Sequence, residues 1–314
     1  MLAKEEPTKR MISVLIATKG RLDQLSELLE GLHRLDGREG IAHEVIVANN
    51  AADEATANGV DELVNRHAEA EPGRWHHVRE PVPGKSRALN RAIRLARGDI
   101  LGFLDDDVEI TPSWLQAIDG FFRHHSFDVM QGSILIPPAM RDDKGFLRLL
   151  NRYRTICFYQ KPGMEVREID SVNAANIAVR RELFSRTGLF DERIGPGQSG
   201  TSMDVEFGER VLKVGGHIGY EPRAVVYHNV DWSRLTEDYF RLRHEMQGRS
   251  RLIYKESTML TILPNFLRAT WAFGWYSLFN NERKKYRAKG RYFHYRAMIR
   301  TKMHAVRTRP IQTR

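Results

Sequence analysis

The sequence predicts an α/β chain built on a doubly wound sheet. Apolar runs of strand length alternate with stretches of helical periodicity in the order βαβαβ, which favours parallel pairing. The third of these runs, DILGFLDDD, ends in Asp105, Asp106 and Asp107. Ligands of doubly wound sheets bind beyond the carboxyl ends of the strands, where these aspartates would lie.

The elements follow in order. MISVLIAT (11–18) reads as a buried strand, and RLDQLSELLEGLHRL places leucines at 22, 25, 28, 29, 32 and 35, which is helical spacing. HEVIVANN (43–50) is a second strand. KSRALNRAIRLARG is apolar at 88, 89, 92, 93, 95 and 96, so it reads as a helix, with Gly98 as its stop. After the third strand, TPSWLQAIDGFF predicts a helix with Thr111 as N-cap and Pro112 as its first residue. Later, SMDVEFGERVLKVGG predicts a helix opened by Asp204, and GYEPRAVVYH a strand ending at His228.

At 314 residues with 41% apolar content, the chain can build a substantial core. Its one cysteine, Cys157, excludes an internal disulfide framework and a cysteine-rich zinc site, and a reducing compartment fits that usage. The opening stretch carries charges of both signs around an apolar run that reads as a strand rather than a signal peptide, so a cytoplasmic location is expected. Of the formal net charge of +9, residues Asn280–Arg314 hold twelve Lys or Arg against the single acid Glu282, a surplus of +11 that leaves −2 for everything before. The basic character therefore belongs to the tail, where it would attract phosphates of nucleic acid or of anionic lipid.

Three adjacent carboxylates raise one another's pKa, a cost that persists most naturally around a cation. Hard oxygen ligands suit Mg²⁺ or Mn²⁺, whose shell is completed by water and substrate phosphates. The competing reading is a solvated acidic turn before the next helix.

The blocks SVLIATKGR, EVIVANNAADEAT, GKSRALNRAIRLARGDILGFLDDD, NAANIAVRRELFSRTGLFDE and MDVEFGERVLKVGGHIGYEPRAVVYH, in this order over residues 11–230, resemble a family 2 glycosyltransferase of the GT-A fold. The resemblance implies a nucleotide-binding half (11–107) and an acceptor half (108–230), a mixed Rossmann-like sheet, and inverting transfer from a nucleoside-diphosphate sugar. It puts Asp105 and Asp107 at the outer positions of a DxD motif. Asp107 is implied as a metal ligand, with Asp105 or Asp106 facing the ribose and Asp105 also available to the metal. Asp204 matches the catalytic base, with Met203 standing where an acid is more usual, so its basicity would depend on burial. His228 matches a third metal ligand.

The same resemblance sketches a donor pocket. Thr18 to Arg21 follow the first strand where the backbone approaches the nucleoside. Asn49, followed by Asn50, stands where an aspartate usually accepts the uracil N3 hydrogen, a bond an amide oxygen can also accept, so a UDP-sugar is the expected donor. Lys85 and Arg87 would contact phosphate. GPGQSG (195–200) matches G-x-G-x-x-G, but it follows no strand and Pro196 removes an amide, so it is expected to be a loop that closes over substrate. Gln247, Arg249 and Arg251 lie where processive relatives carry Q-x-x-R-W, but the tryptophan and spacing are missing, which argues for a single-addition enzyme.

Residues 231–314 form a separate helical, basic and aromatic region. MLTILPNFLRATWAFGWYSLF approaches the length of a membrane span, yet contains Pro264, Asn265 and Arg268. Trp271, Trp275, Tyr276 and Phe279 beside a basic tail suit a helix lying in a bilayer interface, against the alternative of a core-packing helix. The expected partners are therefore a nucleotide-sugar, a glycan or lipid-linked acceptor and an anionic membrane surface, with no nucleic acid. The rival readings are a nucleotidyltransferase, and a non-catalytic phosphate- or membrane-binding module with a degenerate site.

Overall fold

The computed structural model describes residues 10–156, 165–279 and 281–307; Cys157 lies outside them. Its elements are β1 (Met11–Thr18), α1 (Leu22–His33), β2 (Ala42–Asn49), α2 (Glu54–Ala70), β3 (Trp75–Arg79), α3 (Lys85–Leu95), β4 (Ile100–Asp105), β5 (Val108–Ile110), α4 (Trp114–His124) and β6 (Val129–Leu135). They continue through α5 (Pro138–Arg141), α6 (Lys144–Arg152), β7 (Arg167–Ile169), β8 (Asn176–Arg180), α7 (Leu183–Thr187), α8 (Met203–Lys213), β9 (Ile218–His228), α9 (Glu237–Tyr254), α10 (Met259–Leu278) and α11 (Glu282–Arg307). Two compact units result. One takes residues up to 137, 159–192 and 203–229; the other takes 138–158, 193–202 and 230–314.

The first unit holds a single sheet in the order β3-β2-β1-β4-β8-β6-β9-β5, with β7 also paired to β9. Strands β1 to β4 are parallel, while β8 runs antiparallel to both β4 and β6. The nearly unbroken apolar run of β1 is what a strand covered on both faces requires. Ile12, Val14 and Ile16 join the core cluster with Leu25, Leu28, Leu29 and Leu32 of α1. On the other face Leu15 stands beside Phe103 of β4, whose ring meets Phe190 edge-on at 5.4 Å.

Three local expectations are corrected. α4 starts at Trp114 with Ser113 as N-cap, not at Pro112, because the Thr111 carbonyl first closes a turn with the Trp114 N–H (3.0 Å) and the Thr111 hydroxyl donates to the Val225 carbonyl. α3 ends at Leu95, and Gly98 serves close approach instead of a helix stop: a β-carbon there would come within 2.5 Å of Ser13 N. β3, with α2 before it, intervenes between the second and third expected strands. β3 is five residues long and fully buries only Trp75, too weak an apolar signal to read as a strand.

In the second unit, α9 and α11 approach closely through glycines. A β-carbon on Gly248 would meet the His294 carbonyl at 2.3 Å, and one on Gly290 would meet His244 Nε2 at the same distance. Tyr153, Phe240, Tyr286 and Phe293 fill the space beside them. The 195–200 stretch is a run of turns in which Gly195, Gly197 and Gly200 all have positive φ, so it is not the start of a βαβ unit.

Burial depresses His244 and His294 to about 4, with mutual repulsion adding for His244 and Arg251 for His294. An unfolded chain would protonate both near 6.5. Between those values the unfolded state binds more protons, so stability should fall as pH drops from about 6.5 to about 4. A displacement of that size is worth about 3 kcal/mol per ring. Urea unfolding at pH 7.5 and pH 5 should show the loss, and a His244→Gln/His294→Gln variant should lose less on acidification. Equal losses in the two proteins would remove these rings as the cause.

Candidate active site

Strand register assembles the site. β1 pairs with β2 so that Thr18 stands opposite Asn49, and with β4 so that Ala17 stands opposite Asp105. Because these strands are parallel, their carboxyl ends meet along one edge. The chain turns through Asp106 and Asp107 into β5, whose Val108 pairs with His228 at the end of β9. That antiparallel register delivers a histidine from 120 residues downstream to the acidic turn.

Asp105, Asp107 and His228 each present one ligand-capable atom, all within 4.8 Å of one another. Asp107 Oδ1 is buried, accepts no hydrogen bond from the described residues and lies 3.6 Å from His228 Nε2. An orphaned buried carboxylate oxygen is costly unless a cation uses it. Two carboxylates and one imidazole form a donor set that suits Mn²⁺ and accommodates Mg²⁺, so the residues fit the expected divalent metal.

The three aspartates are divided among different partners. Asp106, 3% exposed, accepts from the Thr18 hydroxyl (2.7 Å) and from Arg21, which also donates to Asp107 Oδ2 (2.6 Å). Asp105 pairs with Lys85. Burial pushes the Asp106 carboxyl up, against the opposing pull of Arg21. Burial also works against the charges of Asp105 and Lys85, but each is held ionised by the other, with Asp105 lowered and Lys85 raised. Asp106 thus fastens the loop after β1 to the turn after β4, while Asp105 and Asp107 keep oxygens toward His228.

Asp204 sits in the first turn of α8, its Oδ1 accepting from the Val205 N–H at 2.9 Å. Just before it, Ser202 has φ 74, the one positive value on a non-glycine among the described residues, and such strain marks positions that the surrounding structure enforces. Burial is the main influence raising the Asp204 carboxyl, with Asp105 adding to it and Lys85 opposing, so both charges reach it. Its side chain nonetheless keeps partial solvent exposure.

Asn49 and Asn50 stand at the expected edge, but their side chains are engaged inside the protein. Asn49 donates to the Ala57 carbonyl and to Asp61 (both 2.8 Å) and accepts from the Ala51 N–H. Asn50 donates to the carbonyls of Glu80 and Val82 and accepts from Gly84 N–H, holding the segment that leads into α3. Arg87 pairs with Glu192 at 2.9 Å and buries an Nε that has no hydrogen-bond partner among the described residues. Sequence reasoning passed over Asp61, which collects Asn49, Arg79 and His77, and Asn90, which ties α3 to the Phe190 backbone. The signal for Asp61 was its helical offset from buried Ala57 and Val60 on α2; for Asn90 it was a polar residue inside the apolar face of α3.

Comparison with known proteins places this geometry in context. The model of the family described as Glycosyl transferase family 2 matches residues 13–188. The chain is 24% identical over 223 residues to a pre-mycofactocin glycosyltransferase of Mycobacterium tuberculosis, covering 71% of this chain and 43% of that one. It is 20% identical over 181 residues to a glucosyl-dolichyl phosphate glucuronosyltransferase of Haloferax volcanii, covering 56% and 58%. The chain thus spans about half the length of these relatives. Among solved structures, a mannosyltransferase from Pyrobaculum calidifontis in complex with GDP-Man and Mn²⁺ superposes with a TM-score of 0.54 at 17% identity, over 96% of this chain and 77% of that one. The sheet is therefore that of the GT-A fold.

Proposed function

The chain belongs to glycosyl transferase family 2, and from that premise we propose that it is a metal-dependent inverting glycosyltransferase moving a sugar from a nucleoside-diphosphate donor to a hydroxyl acceptor. The observation that carries this reading is the gathering of Asp105, Asp107 and His228 around an unsatisfied carboxylate oxygen, within electrostatic reach of Asp204.

In this reading Asp105, Asp107 and His228 hold the metal. A bound divalent cation supplies positive charge against the negative charge that develops on the departing diphosphate. Lys85, once the donor arrives, exchanges part of its pairing with Asp105 for phosphate oxygens, and Arg21 keeps Asp106 and Asp107 in place. Asp204 takes the proton of the acceptor hydroxyl as its oxygen attacks the anomeric carbon from the face opposite the diphosphate, which inverts the configuration. Its raised pKa makes it a stronger base than an exposed aspartate.

Uridine remains the first choice of nucleoside. That choice rests on the position of Asn49 at the end of β2, since its amide is 2% exposed and turned inward. Guanosine is the rival, since the Pyrobaculum structure holds GDP-Man. The acceptor is read as a glycan or lipid-linked hydroxyl at the cytoplasmic face of a membrane; the Haloferax relative's name includes dolichyl phosphate. The nucleotidyltransferase and the non-catalytic module are less favoured, because neither gives Asp204 a task.

A panel of UDP-, GDP- and dTDP-sugars with Mn²⁺ or Mg²⁺ should release nucleoside diphosphate from one donor, faster when a suitable acceptor is added. Release of sugar 1-phosphate instead would establish nucleotidyl transfer, and no release from any donor would leave a binding module.

A further inference from the structure

α10 carries two apolar faces, and only one has a partner among the described residues of its own unit. Ile262 and Ala269 are buried, and Phe266 stacks on Tyr292 of α11 at 5.4 Å. On the opposite side Leu260, Leu263, Leu267, Trp271, Trp275 and Leu278 recur at steps of three and four residues, which aligns them along one face about 27 Å long. All six are exposed: Leu260 at 87%, Trp271 at 66% and Leu278 at 78% stand furthest out. Trp271 and Trp275 stack on each other at 5.5 Å and, among the described residues, meet no other ring except that of Phe279, itself exposed. A contiguous apolar stripe of this length left in water requires an occupant.

Its surroundings say which one. α10 has no acidic residue, and its one charge, Arg268, is exposed beside the stripe. At the end where the stripe finishes with Leu278 and Phe279, α11 begins, exposing Arg283, Lys284, Arg287 and Arg291. Lys284 lies 5.5 Å over the ring of Tyr276, which fixes this basic end of α11 against that end of α10. No helix among the described residues is long and apolar enough to cross a membrane. Indole rings, leucines and basic side chains together are the composition of a helix lying in the headgroup boundary. A second copy of the chain would bring more of the same positive charge to this surface, whereas an anionic surface neutralises it.

We propose that α10 lies in the interface of an anionic bilayer, with Leu260, Leu263, Leu267, Trp271, Trp275 and Leu278 inserted and the exposed basic residues at the start of α11 against lipid phosphates. This docking is independent of the chemistry assigned to Asp204 and the acidic turn, and it gives the membrane expectation a defined surface.

The test is flotation of the full chain with phosphatidylcholine vesicles with and without phosphatidylglycerol. Partitioning should rise at least ~10-fold with the anionic lipid and weaken as salt is raised. Trp271→Ser/Trp275→Ser should lower it at least ~10-fold, while Trp271→Phe/Trp275→Phe retains most of it. Arg283→Glu/Arg287→Glu should remove the dependence on anionic lipid. All four positions altered are exposed, and unchanged donor turnover without vesicles would show that the variants are folded and that the two proposals stand or fall separately. Equal recovery of the protein in the unbound fraction with either vesicle overturns the proposal. So does undiminished binding by the serine variant, and so does a dimer that the serine variant abolishes in a protein that ignores vesicles.

Discussion

Asp107→Ala should lose at least ~100-fold in turnover together with its affinity for Mn²⁺. The two oxygens of Asp107 have different work: Oδ2 accepts from Arg21 at 2.6 Å, and Oδ1 is buried with no hydrogen-bond partner beside His228. Alanine removes both, so a drop in activity alone would leave open a shift of Arg21. Asp107→Asn separates them, because an amide oxygen can still accept from Arg21 while the charge that a cation needs is gone. The two variants should therefore lose activity to a similar degree, and titration of free Mn²⁺ by its paramagnetic resonance signal should show weakened binding in both. Full turnover of the unaltered protein in excess EDTA, or an asparagine variant as active as the parent, would contradict the assignment.

Asp204→Asn should keep donor affinity while losing ~10²-fold or more in transfer, because proton abstraction contributes only in the transition state. The pH profile supplies a second reading of the same residue. Burial holds the Asp204 carboxyl above the ordinary aspartate value, so it becomes protonated, and useless as a base, at a higher pH than an exposed aspartate would. The turnover of the parent should accordingly fall on its acid side through that raised value, and the residual rate of the asparagine variant should lack this limb. If donor affinity fell as much as turnover, Asp204 would be a cap of α8 and no base.

Which parts of this were legible in the sequence follows from the physics of each signal. The edge carrying Thr18, Asn49 and Asp105 was readable because strands covered on both faces are nearly pure apolar runs, and their ends are abrupt. α2 and β3 were not, since α2 mixes its few apolar residues with many polar ones and β3 is WHHVR. His228 was proposed by resemblance alone. The device that brings it to Asp107 is β5, three residues long, and no periodicity can be measured over VEI. The asparagines show the opposite failure: their place at the edge was correct, but a sequence does not reveal that their amides face inward to Asp61, Glu80 and Val82.

The pairing of Val108 with His228 has a consequence for how this protein comes into being. On a ribosome the acidic turn emerges about 120 residues before its histidine. In the proposed reading the turn, flanked by Lys85 and Arg21, is an incomplete chelate until β9 has been made and has found β6 and β5. Pairings across such separations form late, after local helices and adjacent strands. A nascent or prematurely terminated chain lacking residues 218–228 would thus carry the acidic motif without His228, and under the proposed reading competence would be withheld until nearly all of the first unit has been synthesised.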